Sequence, residues 1–407
     1  MNCRLCDCGN LRKFLDLGQT PPADAFLTKQ RMQDPEPSFP LAVVQCHSCG
    51  FVQLDHVVDP SVLYQNDYPY EASMTLTGRD HFSQFADHVV RAHGDVEGRL
   101  AIDIGSNVGV LLSAFKNEGM RVLGIDPAEN IAKKAHANGV ETITDFISPD
   151  LARTVVAKYG KASIVTGSNV FAHIDDLNAL MGSVEELLDD DGIFVIEVPH
   201  LMTLLENLEY DTIYHEHLSY VSATPLVPFF RRFGMEIFDI VPVYIHGGSI
   251  RIFIAREGSH QVADGVGEML ETEEENQIHD FNRLRDFARH VEKHRSDLTA
   301  LLQSLKRDGK RIAGVSAPAK GMTLLNYCGI GTETLEFLTE KSALKIGKYA
   351  PGTRLPILPD EALTRENIDY ALVLAWNFKD EIMRNQSEFI KKGGKFIIPI
   401  PEPVIVG

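Results

Sequence analysis

Residues 212–222 read "TIYHEHLSYVS" and crowd Tyr214, His215, Glu216, His217 and Tyr220 into one short stretch. Such side chains move protons or bind metals: imidazole titrates near neutral pH, with carboxylate below it and phenol above. Three uses are open to the run, namely a metal site, an acid–base site, or satisfied polar groups at a strand end. The spacing is not the H-E-x-x-H of a helical zinc protease. In a strand His215 and His217 share one face, and Tyr214, Glu216 and Leu218 share the other.

Four of the six cysteines fall as two pairs, Cys3-x-x-Cys6 and Cys46-x-x-Cys49. Two such turns supply the four thiolates of a tetrahedral zinc site. Gly50, and Gly9 near the first pair, suit tight turns. Four thiolates leave no open coordination position, so the expected ion holds the fold and does no chemistry. Disulfides or redox pairs are the competing reading. A reducing compartment, and the lack of a thioredoxin-like strand before either pair, count against them. Cys8 and Cys328 are left over, and Cys328 in "LLNYCGI" reads as a small buried apolar side chain.

A second constellation lies at strand ends. "AIDIGSNVGVLLSAF" is a strand ending in Asp103, a turn through Gly105, Asn107 and Gly109, and a helix start. Its D-x-G-x-x-x-G pattern departs from the G-x-G-x-x-G of dinucleotide folds, which disfavours a nicotinamide cofactor. It fits the loop of S-adenosylmethionine (SAM) methyltransferases. The next strand ends at Asp126, an acid placed to accept from both ribose hydroxyls. The third ends at Asp145 and Phe146, which suit an adenine edge and ring. The fourth leads into Asn169 and His173, again at the carboxyl edge of the sheet, where ligands bind in such folds.

The elements that must position these groups alternate. After "HFSQFADHVVRAH", strand and helix follow one another from "RLAIDIG" to "DGIFVIEVP", the pattern of a parallel sheet with helices on both faces. Two strands around "HGGS" then read as a hairpin. Residues 278–305 repeat apolar groups at helical spacing, which predicts a packing helix. A second alternating unit follows through "RIAGVSAPAKGMTLLNY", "TLEFLTE", "YALVLAW" and "KFIIPIP". The expected fold class is α/β: a zinc-binding module over 1–66, a Rossmann-like SAM domain over 67–256, and an αβα Rossmann-like domain with its linking helix over 257–407. The tyrosine-rich segment 59–76, with Tyr64, Tyr68 and Tyr70, reads either as a linker or as an aromatic lid.

The 407 residues carry 39 Lys and Arg against 57 Asp and Glu, a net charge of −18. That surface repels phosphate backbones and anionic lipid, so neither nucleic acid nor membrane is an expected partner. The apolar runs are strand-length, and "MNCRLCDCGN" contains no run suited to a secretory signal, so a cytoplasmic enzyme is expected.

The paired cysteines, "DIGSNVG", "NVFAHIDD", "YHEHLSY", "HGGSIR", "APAKGMTLLNY" and "KYAPGTRLPI" occur in order along nearly the whole chain. Together they resemble the sugar C-methyltransferase family of deoxysugar biosynthesis. The resemblance implies a zinc-binding amino-terminal domain, a SAM domain, and methyl transfer to C-3 or C-5 of a nucleotide-linked 4-keto-deoxysugar. Such a reaction needs a base for the proton beside the ketone and a donor for the enolate oxygen. Carried onto this chain, the resemblance makes His217 the base, Glu216 a group that orients or holds the sugar, and Tyr214 a donor to oxygen. His173, Tyr68 and Tyr70 are further catalytic candidates. Ser316 and Lys320 at a helix start suit a diphosphate, and Lys348, Tyr349, Gly352 and Thr353 are candidates to wrap the sugar nucleotide. Where the family tends to place an Asp, this chain reads Thr339-Glu340-Lys341. A monomer or weak dimer is expected. The rival functions are an O- or N-methyltransferase on a sugar or other small molecule, a non-catalytic nucleotide-sugar-binding protein and, more distantly, a nicotinamide oxidoreductase.

Overall fold

Strands that bury both faces need apolar residues at consecutive positions. Leu100–Ile104 is buried at all five positions, and Ala162–Ser168 at six of seven. The computed structural model, which describes residues 1–64, 76–245 and 247–407, places both at the centre of a seven-stranded sheet. Across the sheet the strands run 142–143, 121–125, 100–104, 162–168, 188–199, 249–256 and 235–243. The first five are parallel. The last two are the hairpin expected around "HGGS", antiparallel to their neighbours. The chain builds outward from Leu100–Ile104 in one direction and returns on its other side with Ala162–Ser168. Between those two strands lies a topological switch point, where a crevice opens at the carboxyl ends.

A six-stranded sheet near the carboxyl end repeats this logic in the order 357–359, 338–340, 312–315, 370–373, 395–398 and 404–406. Its first five strands are parallel, and its switch point lies between Ile312–Val315 and Tyr370–Val373. The helix expected over 278–305 spans Phe281–Arg307, with the Asp280 carboxylate capping the amides of Asn282 and Arg283. Its buried stripe packs in one core with Leu15 and Leu17 of the amino-terminal sheet and with Leu324, Leu325 and Leu372 of the carboxyl-terminal unit.

The third sheet has four strands, in the order 11–20, 39–46, 52–54 and 219–220. Its last strand does not come from the amino-terminal stretch. Ser219–Tyr220, immediately after the His-Glu-His run, pairs with Val52–Leu54, and the Leu54 amide donates to the Leu218 carbonyl at 2.9 Å. Residues 214–218 form a turn and loop, so the face alternation expected of a strand does not hold for them. Among the described residues no helix is long and apolar enough to cross a membrane.

Candidate active site

The two switch points open into one cavity of about 920 Å³. On the side of the larger sheet it is lined by Asp103, Gly105, Asn107, Asp126, Asp145, Phe146, Asn169 and His173. On the other side Ser316 and Lys320 line it, and the loop contributes Tyr214, Glu216 and His217. Three non-glycine residues just past strand ends adopt left-handed backbone: Asn107 at φ 48°, Asn169 at φ 56° and Ser316 at φ 69°. Strain of this kind gathers where a chain is bent to present groups to a ligand.

Local chemistry explains the cofactor-side geometry. Gly105 has φ 69°, and a Cβ there would lie 2.2 Å from Val170 Cγ2, so only glycine lets this turn meet the neighbouring loop. Gly109 does not line the cavity. It heads the helix Val110–Asn117 with φ 79° and packs on Val140, so its part is in closing the turn. Asp126 accepts the Asn107 amide on one carboxylate oxygen and the Ala128 amide on the other, both at 2.9 Å. Each oxygen keeps a further lone pair, and the carboxyl lies on the cavity wall, an arrangement that fits a vicinal diol. Asp103 accepts from Thr166 Oγ1 at 2.7 Å, and burial pushes its carboxyl up to about 7. Asp145 and Phe146 lie beyond a strand of only two residues, Thr142–Ile143. Phe146 is partly exposed at the cavity edge.

On the loop, His217 is held by a fixed set of partners. Its Nδ1–H donates to the Thr212 carbonyl at 2.7 Å. A carbonyl only accepts, so this bond puts the proton on Nδ1 and leaves Nε2 as the basic nitrogen. Nε2 lies 2.8 Å from the Tyr214 hydroxyl, which donates to it. The His173 ring stands 5.0 Å from that of His217, and its Nδ1 lies 3.3 Å from the Tyr64 hydroxyl. Burial and the neighbouring imidazole hold His173 well below its ordinary range, hence neutral. His215 points elsewhere: its Nε2–H donates to the Phe39 carbonyl at 3.3 Å. The imidazole expected to share a face with His217 therefore ties the loop to the amino-terminal sheet.

The substrate-side candidates divide. Lys320 has its ammonium over the Trp376 ring at 4.0 Å, and burial lowers its affinity for the proton. Lys348, Tyr349, Gly352 and Thr353 do not line the cavity. Tyr349 exchanges backbone hydrogen bonds with Leu27, and the Gly352 amide donates to Glu36 at 2.7 Å, so this turn ties the carboxyl-terminal unit to the amino-terminal module. Glu340 is on the cavity wall and accepts the Ala317 amide at 3.0 Å. Tyr68 and Tyr70 lie outside the described residues. Sequence reasoning missed Thr212 and the pair Asp211 and Trp376. The lone tryptophan sits just past the strand Tyr370–Val373 at a switch point, a signal that the strand-end rule could have used.

The four cysteine sulfurs lie within 4.8 Å of one another. Cys3 and Cys49 are 3.5 Å apart, and Cys6 and Cys46 are 3.6 Å apart. Disulfides require about 2.05 Å, whereas four thiolates on one zinc stand about 3.8 Å apart. The cluster fits zinc. Arg4, between the first two ligands, pairs with Asp175 at 2.9 Å, so the knuckle also grips the loop that carries His173.

Comparison with known proteins identifies a methyltransferase. Three family models match in order: a zinc binding domain over residues 3–64, a methyltransferase domain over 78–240 and a C-methyltransferase C-terminal domain over 244–401. The chain is 38% identical over 405 residues to the C-methyltransferase NovU of Streptomyces niveus, covering 99% of this chain and 96% of that one. It therefore belongs to this C-methyltransferase family, and is a SAM-dependent enzyme of that class. A ubiquinone biosynthesis O-methyltransferase of Bordetella avium is 28% identical over 101 residues, 24% of this chain and 42% of that one. Among solved structures, magnesium protoporphyrin IX methyltransferase of Synechocystis with bound SAH matches at TM-score 0.35 and 18% identity, over 46% of this chain and 90% of that one.

Proposed function

We propose that this enzyme methylates the carbon beside the ketone, C-3 or C-5, of a nucleotide-linked 4-keto-deoxysugar. The observation that carries the reading is the single cavity walled by both strand-end switch points and by His217. In this reading residues 1–66 hold zinc, 67–256 hold the cofactor and 257–407 hold the sugar nucleotide. Asp126 takes the ribose diol, Gly105 and Asn107 border the methionine part, and Asp145, Phe146 and Asn169 border the adenine side. When bound, SAM supplies an electrophilic methyl group.

The chain's own residues do the proton chemistry. Substrate entry exchanges partners at His217: the Tyr214 hydroxyl turns from Nε2 to the ketone oxygen. Nε2 then takes the α proton, and the Thr212 carbonyl steadies the imidazolium through Nδ1–H. The carbon–hydrogen electron pair becomes the enolate, whose oxygen receives the Tyr214 hydrogen bond. Glu216 orients the sugar. His173, held neutral by burial, serves as a second hydrogen-bonding wall. Ser316 and the Lys320 ammonium meet the diphosphate.

The test is incubation in heavy water with SAM and a panel of nucleotide-linked 4-ketosugars. The expected result is deuterium entering beside the ketone and a mass gain of one methylene. Methyl transfer to oxygen or nitrogen, with no exchange at carbon, overturns the enolate route.

Asp103 gives a pH dependence with a definite sign. Its folded carboxyl titrates near 7 against an ordinary 3.8. Between those values the folded chain binds a proton that the unfolded chain has lost. The group therefore costs stability as pH rises from about 4, and the cost is complete above about 7. Asp103→Asn removes a cost on the order of 4 kcal/mol at pH 8. Thermal denaturation of the cofactor-free protein should show a raised Tm at pH 8 and a difference that shrinks toward pH 4. SAM binding should weaken in the same variant, because the cationic cofactor loses a carboxylate. An unchanged Tm difference across that range contradicts the assignment.

A further inference from the structure

The turn Tyr210–Thr212 precedes the His-Glu-His loop, and the carboxyl-terminal unit holds it at several points, beginning with the Tyr210 hydroxyl 3.0 Å from His294 Nδ1. Thr323 Oγ1, in the helix Ala319–Cys328, donates to the Ile213 carbonyl at 3.0 Å. Trp376 Nε1–H, just past the strand Tyr370–Val373, donates to Asp211 Oδ2 at 2.7 Å. Asp211 is fully buried, and a buried carboxylate is tolerated only when hydrogen-bonded or paired. Among the described residues no cation stands within ion-pair distance of it, and Lys320 is held over the Trp376 ring instead. The other oxygen, Oδ1, is buried and has no hydrogen-bond partner among the described residues, so the indole N–H is what satisfies this carboxylate. The Thr212 carbonyl, one residue on, fixes the His217 proton on Nδ1.

We propose that Trp376 is a positioning residue for His217: its indole N–H anchors Asp211, and so aims the Thr212 carbonyl that selects the tautomer. Neither Trp376 nor Asp211 exchanges a proton with the substrate. The inference rests on the reading of His217 as base. It gives the carboxyl-terminal sheet a part in the proton step, because the edge of the cavity that would receive the nucleotide also sets the imidazole. Around His217 stand the Tyr214 hydroxyl, the His173 ring, and the cavity-lining Glu216 and Tyr64. Around Asp211 stand Lys320 and Glu209.

The chain has one tryptophan, so residue-specific incorporation of 3-benzothienylalanine changes this position alone and replaces the N–H by sulfur at nearly constant shape. The full-length zinc protein is read in two ways. Nitrogen-15 NMR of labelled histidine, with His217 assigned through His217→Asn, should show the Nδ1–H tautomer in the natural protein and a mixture in the analogue. The kcat for methyl transfer should fall about tenfold to a hundredfold, while SAM affinity is unchanged. Trp376→Phe should act in the same direction. Asp211→Asn, which keeps an acceptor for the indole, should preserve the tautomer. The proposal is overturned if the analogue leaves tautomer and kcat unchanged, or if kcat falls only together with Tm and SAM affinity while the tautomer stays fixed. Should His217 prove dispensable for turnover, the functional reading fails, yet the NMR result still reports on the clamp.

Discussion

His217→Asn is expected to remove methyl transfer almost entirely while leaving SAM binding in place. A positioned general base contributes about 10²- to 10⁴-fold, and no other imidazole takes over. His173 is neutral but 5.0 Å away ring to ring, and its Nδ1 is engaged with Tyr64. His215 is turned to the Phe39 carbonyl. Asparagine retains an N–H for the Thr212 carbonyl and has no basic nitrogen, so the loop should keep its path. Two measurements separate chemistry from folding. Calorimetric SAM affinity should match that of the natural protein, and deuterium exchange beside the ketone should vanish along with turnover. Near-normal exchange in the variant would exclude His217 as the base and move attention to Tyr214 or Glu216.

Metal removal is the second large effect, and the structure alters its expected form. Four thiolates with no open position suggest a metal whose loss unfolds one module and leaves the chemistry alone. The fourth strand of the zinc sheet is Ser219–Tyr220, two residues past His217, and Arg4 of the first knuckle holds Asp175 beside His173. Structural zinc contributes roughly 10 kcal/mol or more to small domains that depend on it. Chelation, or Cys46→Ser, should therefore abolish activity in step with melting of the amino-terminal sheet. Following methyl transfer and hydrogen exchange at Val52–Leu54 during graded zinc removal tests this. Activity that outlasts loss of protection at those amides contradicts the coupling.

Much of the site was legible because α/β folds put ligands at strand ends. Asp103, Gly105, Asn107, Asp126, Asn169 and His173 each follow an apolar run by a residue or a few, and each lines the cavity. Gly109 obeyed the same rule and instead serves the turn, since the motif encodes both ligand approach and packing. The turn at 348–353 lies off the cavity for a related reason. A Gly-Thr turn near a basic residue is chemically suited to a ligand, but its amides were needed to join Leu27 and Glu36.

By itself the sequence determined the α/β class, the cysteine tetrad, the carboxyl-edge residues that line the cavity and the proton-handling run at 214–217. Those follow from local rules: hydrophobic periodicity, turn chemistry and ligand spacing act over a few residues. Tertiary structure alone decided which imidazole faces the cavity, which nitrogen carries its proton, that the zinc sheet captures Ser219–Tyr220, and that Trp376 reaches Asp211. Each is a contact between segments far apart in the chain. Such pairings depend on how three sheets pack, and no local pattern records the distance between their ends.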